Sequence, residues 1–280
     1  QKGDNTSVVA IHGNFDDAQT GVKKIFADKE FGAELADHGF QFSSANSINI
    51  GRLVPQVVYY VYAYASLLAN EEIKDGEEIN VTVPTGNFGN ILAAYFAKQL
   101  GVPIKKLICA SNDNKVLYDF FQTGTYDRQR DFILTTSPSM DILISSNLER
   151  LLYLSTGCDA EQTAKLMNQL GTEGHYTVTP EMKAKMADFC GGFATEAEDA
   201  AAIRELYDET GYVIDTHTGV ASAVYQQYKK NTGDETKTVI ASTASPYKFS
   251  RSVMEAISDE KLPEDEFAVI DELCRVSGVE

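Results

Sequence analysis

The stretch that decides the fold is Val81-Thr82-Val83-Pro84-Thr85-Gly86-Asn87-Phe88-Gly89-Asn90, which runs directly into Ile91-Leu92-Ala93-Ala94-Tyr95-Phe96-Ala97. It predicts a buried strand, a glycine-rich turn and the start of a helix. The glycines let the backbone approach an anion, and a helix N-terminus supplies free N–H groups and the positive end of the dipole. The stretch therefore predicts a phosphate-binding loop, with an ordinary strand-to-helix turn as the alternative.

Two common nucleotide-binding loops are excluded by the same residues. The loop contains no lysine, so it differs from the Gly-rich turn ending in Lys-Ser/Thr that triphosphatases use. Its glycines also do not follow the dinucleotide-binding spacing G-x-G-x-x-G. The predicted anion is thus a phosphate held mainly by backbone donors.

Composition and charge limit the possible partners. The chain has 280 residues, enough for one large or two moderate domains, and a hydrophobic share of 43% that supports a substantial core. Its formal net charge of −17 argues against non-specific affinity for nucleic acid or an anionic membrane. A phosphorylated ligand must then be held by local donors, among which arginine is the most effective.

Cysteine and histidine positions predict neither a metal site nor disulfides. The cysteines at 109, 158, 190 and 274 are far apart, so we expect free thiols in a reducing, cytoplasmic setting. The histidines at 12, 38, 175 and 217 form no metal-binding pair. The longest apolar run, from Leu53 to Leu68, is interrupted by Pro55 and Gln56, and no signal peptide is recognisable.

Strand and helix patterns alternate along the first half of the chain, which predicts an α/β fold with parallel strands. Strands are expected at residues 8–11, 40–42, 78–83 and 106–110, and helices at residues 16–28, 53–69, 91–100 and 112–121. Residues 156–210 contain helical patterns and no convincing strand. Strand patterns return at 211–214 and 238–241, with a helix at 218–230 between them. We therefore predict an α/β region over 1–155, a helical insert over 156–210, and a C-terminal α/β part of the same large domain over 211–280.

Polar clusters follow several of the predicted strands. In an open parallel sheet the carboxyl ends of the strands border the ligand crevice, so these clusters are expected to converge. They are Asn14/Asp16, Asn46/Ser47, Gly86–Asn90, Asn112–Asn114, Asp215/His217 and Ser242–Ser245.

One loop carries a candidate site for a second phosphate. Asn46 and Ser47 offer neutral donors, and Arg52 offers a guanidinium fork about one helical turn later. The alternative is that Ser47 or Asn49 caps the following helix and that Arg52 lies on a solvated face.

Three further residues have a chemical and a structural interpretation. Thr243 follows an apolar strand, where its hydroxyl can bond a heterocycle nitrogen or simply belong to a polar turn. Lys248 is a Schiff-base candidate or, as we favour, a surface charge at a helix start. His217 is an acid or base or, as we favour, a structural histidine beside a helix start.

Taken together, these segments resemble threonine synthase, of the fold-type II family of pyridoxal-phosphate enzymes. The resemblance covers nearly the whole chain. Residues 156–210 resemble the helical segment found in the longer, bacterial and fungal type of the family. The segments that carry it are Gly13-Asn14-Phe15-Asp16-Asp17-Ala18-Gln19, Asn46-Ser47-Ile48-Asn49 with Arg52, Pro84 to Asn90, Ser137-Pro138-Ser139-Met140-Asp141-Ile142, Ser145-Ser146-Asn147-Leu148-Glu149-Arg150-Leu151-Leu152, Asp215-Thr216-His217-Thr218 and Ser242 to Phe249.

The resemblance implies a fold, a reaction and a set of binding residues. The fold is the tryptophan-synthase-β-like, three-layer parallel-sheet architecture, here incomplete. The reaction converts O-phospho-L-homoserine and water into L-threonine and phosphate with pyridoxal 5'-phosphate as electron sink. Gly86, Asn87, Phe88, Gly89 and Asn90 match the cofactor-phosphate loop, and Thr243 matches the hydroxyl that faces the pyridine nitrogen. Asn46, Ser47 and Arg52 match residues for the substrate phosphate.

One part of the family pattern is missing. The Schiff-base lysine lies in a Ser/Gly-flanked motif upstream of the Gly-Asn-Phe-Asp-Asp segment, and no such motif is present here. We therefore expect the C-terminal portion of a threonine synthase, a carbon–oxygen lyase acting on phosphates, which is inactive alone, holds cofactor poorly and is a monomer or homodimer. The alternatives are another fold-type II lyase, such as a threonine dehydratase or cysteine synthase, and a non-catalytic binding protein on the same scaffold.

Overall fold

The computed structural model describes residues 3–13 and 15–278 and divides the chain into two compact units, residues 1–45 and 46–280. This division does not follow the three regions expected from the sequence. The boundaries at 155 and 210 accordingly remain a prediction.

Two helices form the regular structure of the first unit, α1 (Phe15–Ala27) and α2 (Lys29–Asp37). Asp28 caps α2, because its carboxylate accepts hydrogen bonds from two backbone N–H groups of the first turn. Phe42 stacks on Phe26 of α1 with ring centroids 5.0 Å apart. This aromatic contact packs the segment after α2 against α1.

The strands expected at residues 8–11 and 40–42 are wrong. Among the described residues of this unit no strand forms, and Val8 and Val9 are 81% and 80% exposed. A strand needs a neighbour to accept its backbone hydrogen bonds, and the described part of this unit offers none. Asn14, one of the expected crevice residues, lies outside the described residues.

The second unit contains the elements that build the candidate site. Its helices are α3 (Ile50–Leu53), α4 (Val57–Ala69), α5 (Gly89–Gln99), α6 (Val116–Thr123), α7 (Leu148–Ser155), α8 (Ala160–Thr172), α9 (Pro180–Lys185), α10 (Glu196–Thr210), α11 (Thr216–Thr232), α12 (Ser250–Ile257) and α13 (Glu266–Ser277). Its strands are β1 (Ile79–Pro84), β2 (Ile104–Ser111), β3 (Thr125–Asp127), β4 (His175–Thr177), β5 (Phe189–Phe193) and β6 (Thr238–Ile240).

A parallel four-stranded sheet with the order β5-β2-β1-β6 forms the centre of this unit. Successive side chains of a strand face opposite sides of a sheet. Val81 and Val83 of β1 therefore pack in the cluster that contains α4 and α5, whereas Ile108 and Ala110 of β2 pack against α11. Because helices cover both faces, every residue of β1 is buried. This arrangement confirms the predicted α/β layers around a parallel sheet.

Residues 156–210 are not purely helical as expected. They include β4, which pairs with β3, and β5, which is an edge strand of the central sheet. The sequence did not predict β5, because it contains Gly191 and Gly192 and glycine has low strand propensity. Both are required by packing, since a Cβ at 191 would lie 3.1 Å from Tyr118 Cα and one at 192 would overlap the side chain of Val224.

Residues 211–214 form no strand either. Gly211, with φ of 72°, ends α10, and Asp215 caps α11, so the segment is a short connection between two helices. Val213 and Ile214 are apolar because they pack with α12 and α13. No helix in the described part of the chain has both the length and the apolar character needed to cross a bilayer.

Candidate phosphate-binding site

The glycine loop connects β1 to α5 at the carboxyl edge of the sheet. Thr85 N–H donates to Ala110 O at 2.8 Å, which anchors the loop to β2. Phe88 adopts a left-handed conformation with φ of 65°, which is costly for a residue with a side chain. Its ring is buried and packs on Phe189 with centroids 5.6 Å apart, and this burial holds the conformation in place.

Both glycines of the loop lie where a side chain would not fit. A Cβ on Gly86 would lie 2.5 Å from the backbone oxygen of Ser139, and a Cβ on Gly89 would lie 2.7 Å from Ser47 Cβ. The loop backbone is therefore in close contact with two other segments. Glycine is needed at both positions to permit that approach.

The start of α5 has the properties of an anion site. Among the described residues no side chain caps this helix, so its first N–H groups have no capping acceptor. The helix dipole adds positive potential at the same point. These features of Gly86–Asn90 are compatible with a phosphate ester, and the role of the loop in holding the cofactor phosphate stays a prediction.

Residues 145–147 form hydrogen bonds to the glycine loop. Ser145 Oγ donates to Gly86 O at 2.8 Å, and Ser146 Oγ donates to Asn87 Oδ1 at 3.0 Å. Asn147 donates to Asn87 O from both its backbone N and its side-chain Nδ2, each at 3.0 Å. The backbone oxygens of Gly86 and Asn87 are therefore both hydrogen-bonded to this segment.

The side chain of Asn90, at the first turn of α5, is held in the same way. Tyr60 of α4 donates its hydroxyl to Asn90 Oδ1. Tyr60 is 4% exposed, and burial raises the pKa of its hydroxyl above the usual value. The hydroxyl therefore stays protonated and remains a donor.

The loop expected to bind a second phosphate lies against the glycine loop. Asn147 Nδ2 also donates to Ser47 Oγ, at 3.1 Å, and Arg150 donates to Ile48 O at 2.7 Å. The structure thus brings Ser47 next to Gly89, while Asn46 and Arg52 are exposed on the same short segment. Roles for these residues in binding substrate stay predictions.

The alternative prediction for this loop was that Ser47 or Asn49 caps the following helix, and Asn49 does so. Its Oδ1 accepts the Gly51 N–H at 2.9 Å at the start of α3. Ser47 does not serve as the cap of that helix. Its hydroxyl oxygen is directed toward Asn147.

His217 and Asp215 form a buried pair beside the glycine loop. His217 Nδ1 lies 2.9 Å from Asp215 Oδ1, and Ser139 N–H donates to His217 Nε2 at 3.2 Å. Nε2 therefore carries no proton, and Nδ1–H donates to the carboxylate. Burial would raise the pKa of Asp215, but bonds from His217 and Thr218 outweigh it and lower the pKa. These contacts support the structural interpretation of His217, which positions the turn that touches Gly86.

Thr243 and Lys248 follow β6, the neighbour of β1. Ala241 N–H donates to Thr82 O at 2.9 Å, so Thr243 lies beyond the same sheet edge as the glycine loop. Its side chain is exposed. Lys248 is exposed in the turn Pro246–Phe249, as expected of a surface charge. The ring-nitrogen role of Thr243 stays a prediction.

The cluster Asn112–Asn114 supports the loop region and does not itself offer a binding group. Asn112 Nδ2 donates to Asp141 Oδ1 at 2.7 Å, and Asn114 Nδ2 donates to the same oxygen at 3.0 Å. Thr135 Oγ1 donates to it as well, at 2.7 Å. This buried network holds the Pro138–Met140 turn that contacts Gly86.

A cavity also lies elsewhere in the second unit. It encloses about 650 Å³ between α5, α7 and α8, and Phe96, Tyr153 and Met167 are among its lining residues. No residue of Gly86–Asn90 lines it. The predicted phosphate site at Gly86–Asn90 is therefore separate from this cavity. Among the described residues no group of three His, Cys, Asp or Glu side chains could hold a metal.

Sequence reasoning missed Tyr60 and the segment 145–147 as parts of this site. The motif Ser145-Ser146-Asn147 was recognisable as a segment shared with the family, but its partners are distant in sequence. Tyr60 carried no signal beyond its place in a tyrosine-rich helix. Only the folded chain brings these donors to the loop oxygens.

Comparison with known proteins gives a consistent picture. Residues 218–279 match the family model described as "Threonine synthase, C-terminal". "Threonine synthase-like 1" of Homo sapiens is 43% identical over 264 residues, which cover 93% of this chain and 35% of that protein. Threonine synthase of Schizosaccharomyces pombe is 37% identical over 276 residues, covering 91% of this chain and 52% of that protein.

A solved structure matches as well. The PLP-bound threonine synthase from Brucella melitensis superposes with a TM-score of 0.77 and 38% identity, over 96% of this chain and 54% of that chain. The expected fold-type II architecture is thereby confirmed. The chain spans about half the length of these threonine synthases and about a third of the threonine synthase-like proteins.

Proposed function

Because the chain is a relative of threonine synthases that corresponds to their C-terminal part, we propose that it forms the phosphate-binding portion of a threonine synthase. The whole enzyme would convert O-phospho-L-homoserine and water into L-threonine and phosphate. The observation that carries this proposal is the uncapped start of α5, joined to β1 by the glycine loop and lying against Ser47. That contact brings the two predicted phosphate-binding loops together.

The glycine loop would hold the phosphate of pyridoxal 5'-phosphate. The N–H groups of Gly86–Asn90 and the dipole of α5 supply the attraction. When bound, the cofactor supplies an electron sink for carbanion chemistry. Thr243 would donate to or accept from the pyridine nitrogen without imposing a charge on it.

Asn46, Ser47 and Arg52 would hold the substrate phosphate. The chain carries a net charge of −17, so a second phosphate needs a local cation. Arg52 is the guanidinium on that loop, and a bidentate contact gives it selectivity for a phosphate. Ser47, oriented by Asn147, would add a hydroxyl donor.

Turnover would require residues that this sequence does not contain. We place the Schiff-base lysine in the portion that threonine synthases have upstream of the matched region. Lys248 is an unsuitable substitute because it is an exposed residue on a surface turn. A cytoplasmic location is proposed from the free state of Cys109, Cys158, Cys190 and Cys274.

Titration of the 280-residue chain with pyridoxal 5'-phosphate and with O-phospho-L-homoserine tests this proposal. Arg52→Ala should weaken phosphohomoserine binding about tenfold or more and cofactor binding much less, because one charge-assisted contact is removed. Arg275→Ala, which removes a 70% exposed arginine side chain on α13, is the matched control and should change neither. Because the Schiff-base lysine is absent from this sequence, phosphate release from phosphohomoserine should be undetectable with this chain alone.

Three outcomes would contradict the proposal in different ways. An equal loss of cofactor and phosphohomoserine binding in Arg52→Ala would remove the second phosphate site and favour another fold-type II lyase. Cofactor binding without any phosphohomoserine binding would favour a non-catalytic binding protein. Clear turnover by the chain alone would place the reactive amine within it.

A further inference from the structure

Asn147 is a buried side chain that connects the two loops predicted to bind phosphate. It is 1% exposed. Its Nδ2 donates to Asn87 O of the glycine loop at 3.0 Å and to Ser47 Oγ of the neighbouring loop at 3.1 Å. Its Oδ1 accepts a hydrogen bond from Arg150 Nε at 3.2 Å. Both N–H groups of the amide are therefore used within the protein.

The chemistry of two partners fixes the orientation of this amide. A guanidinium can only donate, so the Asn147 atom that faces Arg150 Nε is the oxygen. A backbone carbonyl can only accept, so the atom that faces Asn87 O is the nitrogen. These two contacts agree on one orientation and exclude the flipped amide. Ser47 Oγ, which also faces the nitrogen, must therefore accept a hydrogen bond.

Because Ser47 Oγ accepts from Asn147, the proton of its hydroxyl is left for another acceptor. Among the described residues that acceptor is Asn46 Oδ1, at 3.5 Å, which is longer than an ordinary O–H···O hydrogen bond. Ser47 lies at the start of α5, since a Cβ on Gly89 would lie 2.7 Å from Ser47 Cβ. The hydroxyl is thus a weakly engaged donor beside the uncapped N–H groups of that helix.

We propose that Asn147 is a positioning residue that makes Ser47 a hydrogen-bond donor to the substrate phosphate. It occupies a lone pair of the Ser47 oxygen, so the O–H bond is directed away from Asn147. Arg150 holds the amide in the orientation that this requires. Asn147 need not touch the ligand. This inference rests on the proposed role of Ser47 in binding phosphohomoserine, and it names the residue that keeps Ser47 ready for that role.

A double-mutant cycle tests whether Asn147 acts through Ser47. It compares Ser47→Ala, Asn147→Ala and the combination of the two. Asn147→Ala keeps the bond from the backbone N–H of residue 147 to Asn87 O, which is 3.0 Å long, so the glycine loop retains a donor there. Asn80→Ala is the matched control, since Asn80 is a buried asparagine near the opposite end of β1, where its Nδ2 donates to Asp234.

The measurement is the dissociation constant for O-phospho-L-homoserine, for L-homoserine, which lacks the phosphate, and for pyridoxal 5'-phosphate. Ser47→Ala should weaken phosphohomoserine binding about tenfold and Asn147→Ala about fivefold, because a hydrogen bond to a charged group is lost or misdirected. In the Ser47→Ala background, Asn147→Ala should add less than about twofold, since the hydroxyl through which it acts is gone. The homoserine and cofactor constants should stay within about twofold in every variant, and Asn80→Ala should change none of the three.

The failures of the two proposals can be told apart. If the unaltered chain binds phosphohomoserine no better than homoserine, the proposed phosphate site is wrong and the inference falls with it. If the chain prefers phosphohomoserine and Asn147→Ala keeps that preference in full, only the positioning role is wrong. Losses that multiply in the double variant, an equal loss of homoserine or cofactor binding, or the same loss in Asn80→Ala would also overturn that role. Asn147→Leu, which has a similar branched shape without polar atoms, takes the same place in the cycle if Asn147→Ala fails to fold.

Discussion

Replacement of Gly86 by alanine should destabilise the chain because the loop leaves no room for a Cβ. The added atom would lie 2.5 Å from Ser139 O and 3.3 Å from Met140 Cα, both of which are backbone positions. The turn that carries them is held by the Ser139 bond to His217 and by the Asp141 network. Relief therefore requires a backbone shift in the turn or in the loop, for which overpacking typically costs about 1–3 kcal/mol.

Urea unfolding of Gly86→Ala and the starting chain measures this cost. Gly171→Ala is the control, because Gly171 lies inside α8 with nothing within 4 Å of its Cβ position. That change should stabilise the chain by roughly 0.5–1 kcal/mol through helix propensity. The opposite signs separate a packing effect from a general response to alanine. Equal or greater stability of Gly86→Ala would refute the close contact between the loop and the turn.

Two further predictions concern buried titratable groups. Asp199 is 2% exposed, and burial raises the pKa of its carboxyl to about 8. The native state therefore binds more protons than the unfolded state between about pH 4 and 8, so this group makes stability fall as pH rises through that window. Asp199→Asn should reduce the fall in Tm between about pH 5 and 8, and an unchanged pH dependence would contradict the assignment. For the thiols, burial raises the pKa of Cys109 to about 12 and that of Cys190 to about 11, whereas Cys158 is exposed. A disulfide reagent should modify Cys158 first and reach Cys109 and Cys190 only after denaturant is added, as mass mapping of the labelled peptides would show.

The sequence predicted the central elements of the sheet well. Residues 78–83 and 106–110 became β1 and β2 with small shifts at their ends, and the helix expected at 91–100 is α5. These segments are apolar runs between clear glycine, proline and asparagine signals. Their local pattern and their buried position agree, so propensity alone was sufficient.

The errors arose where pairing or packing overrode the local pattern. Residues 8–11 look like a strand but have no partner in the described part of their unit. Phe189–Phe193 looks unlike a strand because of its glycines but pairs with β2. Propensity cannot report whether a neighbouring strand exists or how close a helix approaches.

What the amino-acid order predicted by itself was a phosphate-binding role for the loop. Two glycines before an apolar helix predict a phosphate-binding turn, and the surrounding motifs identify the relatives. What only the tertiary structure decided was which residues orient that loop. Tyr60 and Ser146 reach Asn90 and Asn87 across long sequence separations, and such contacts exist only after the sheet and helices have packed.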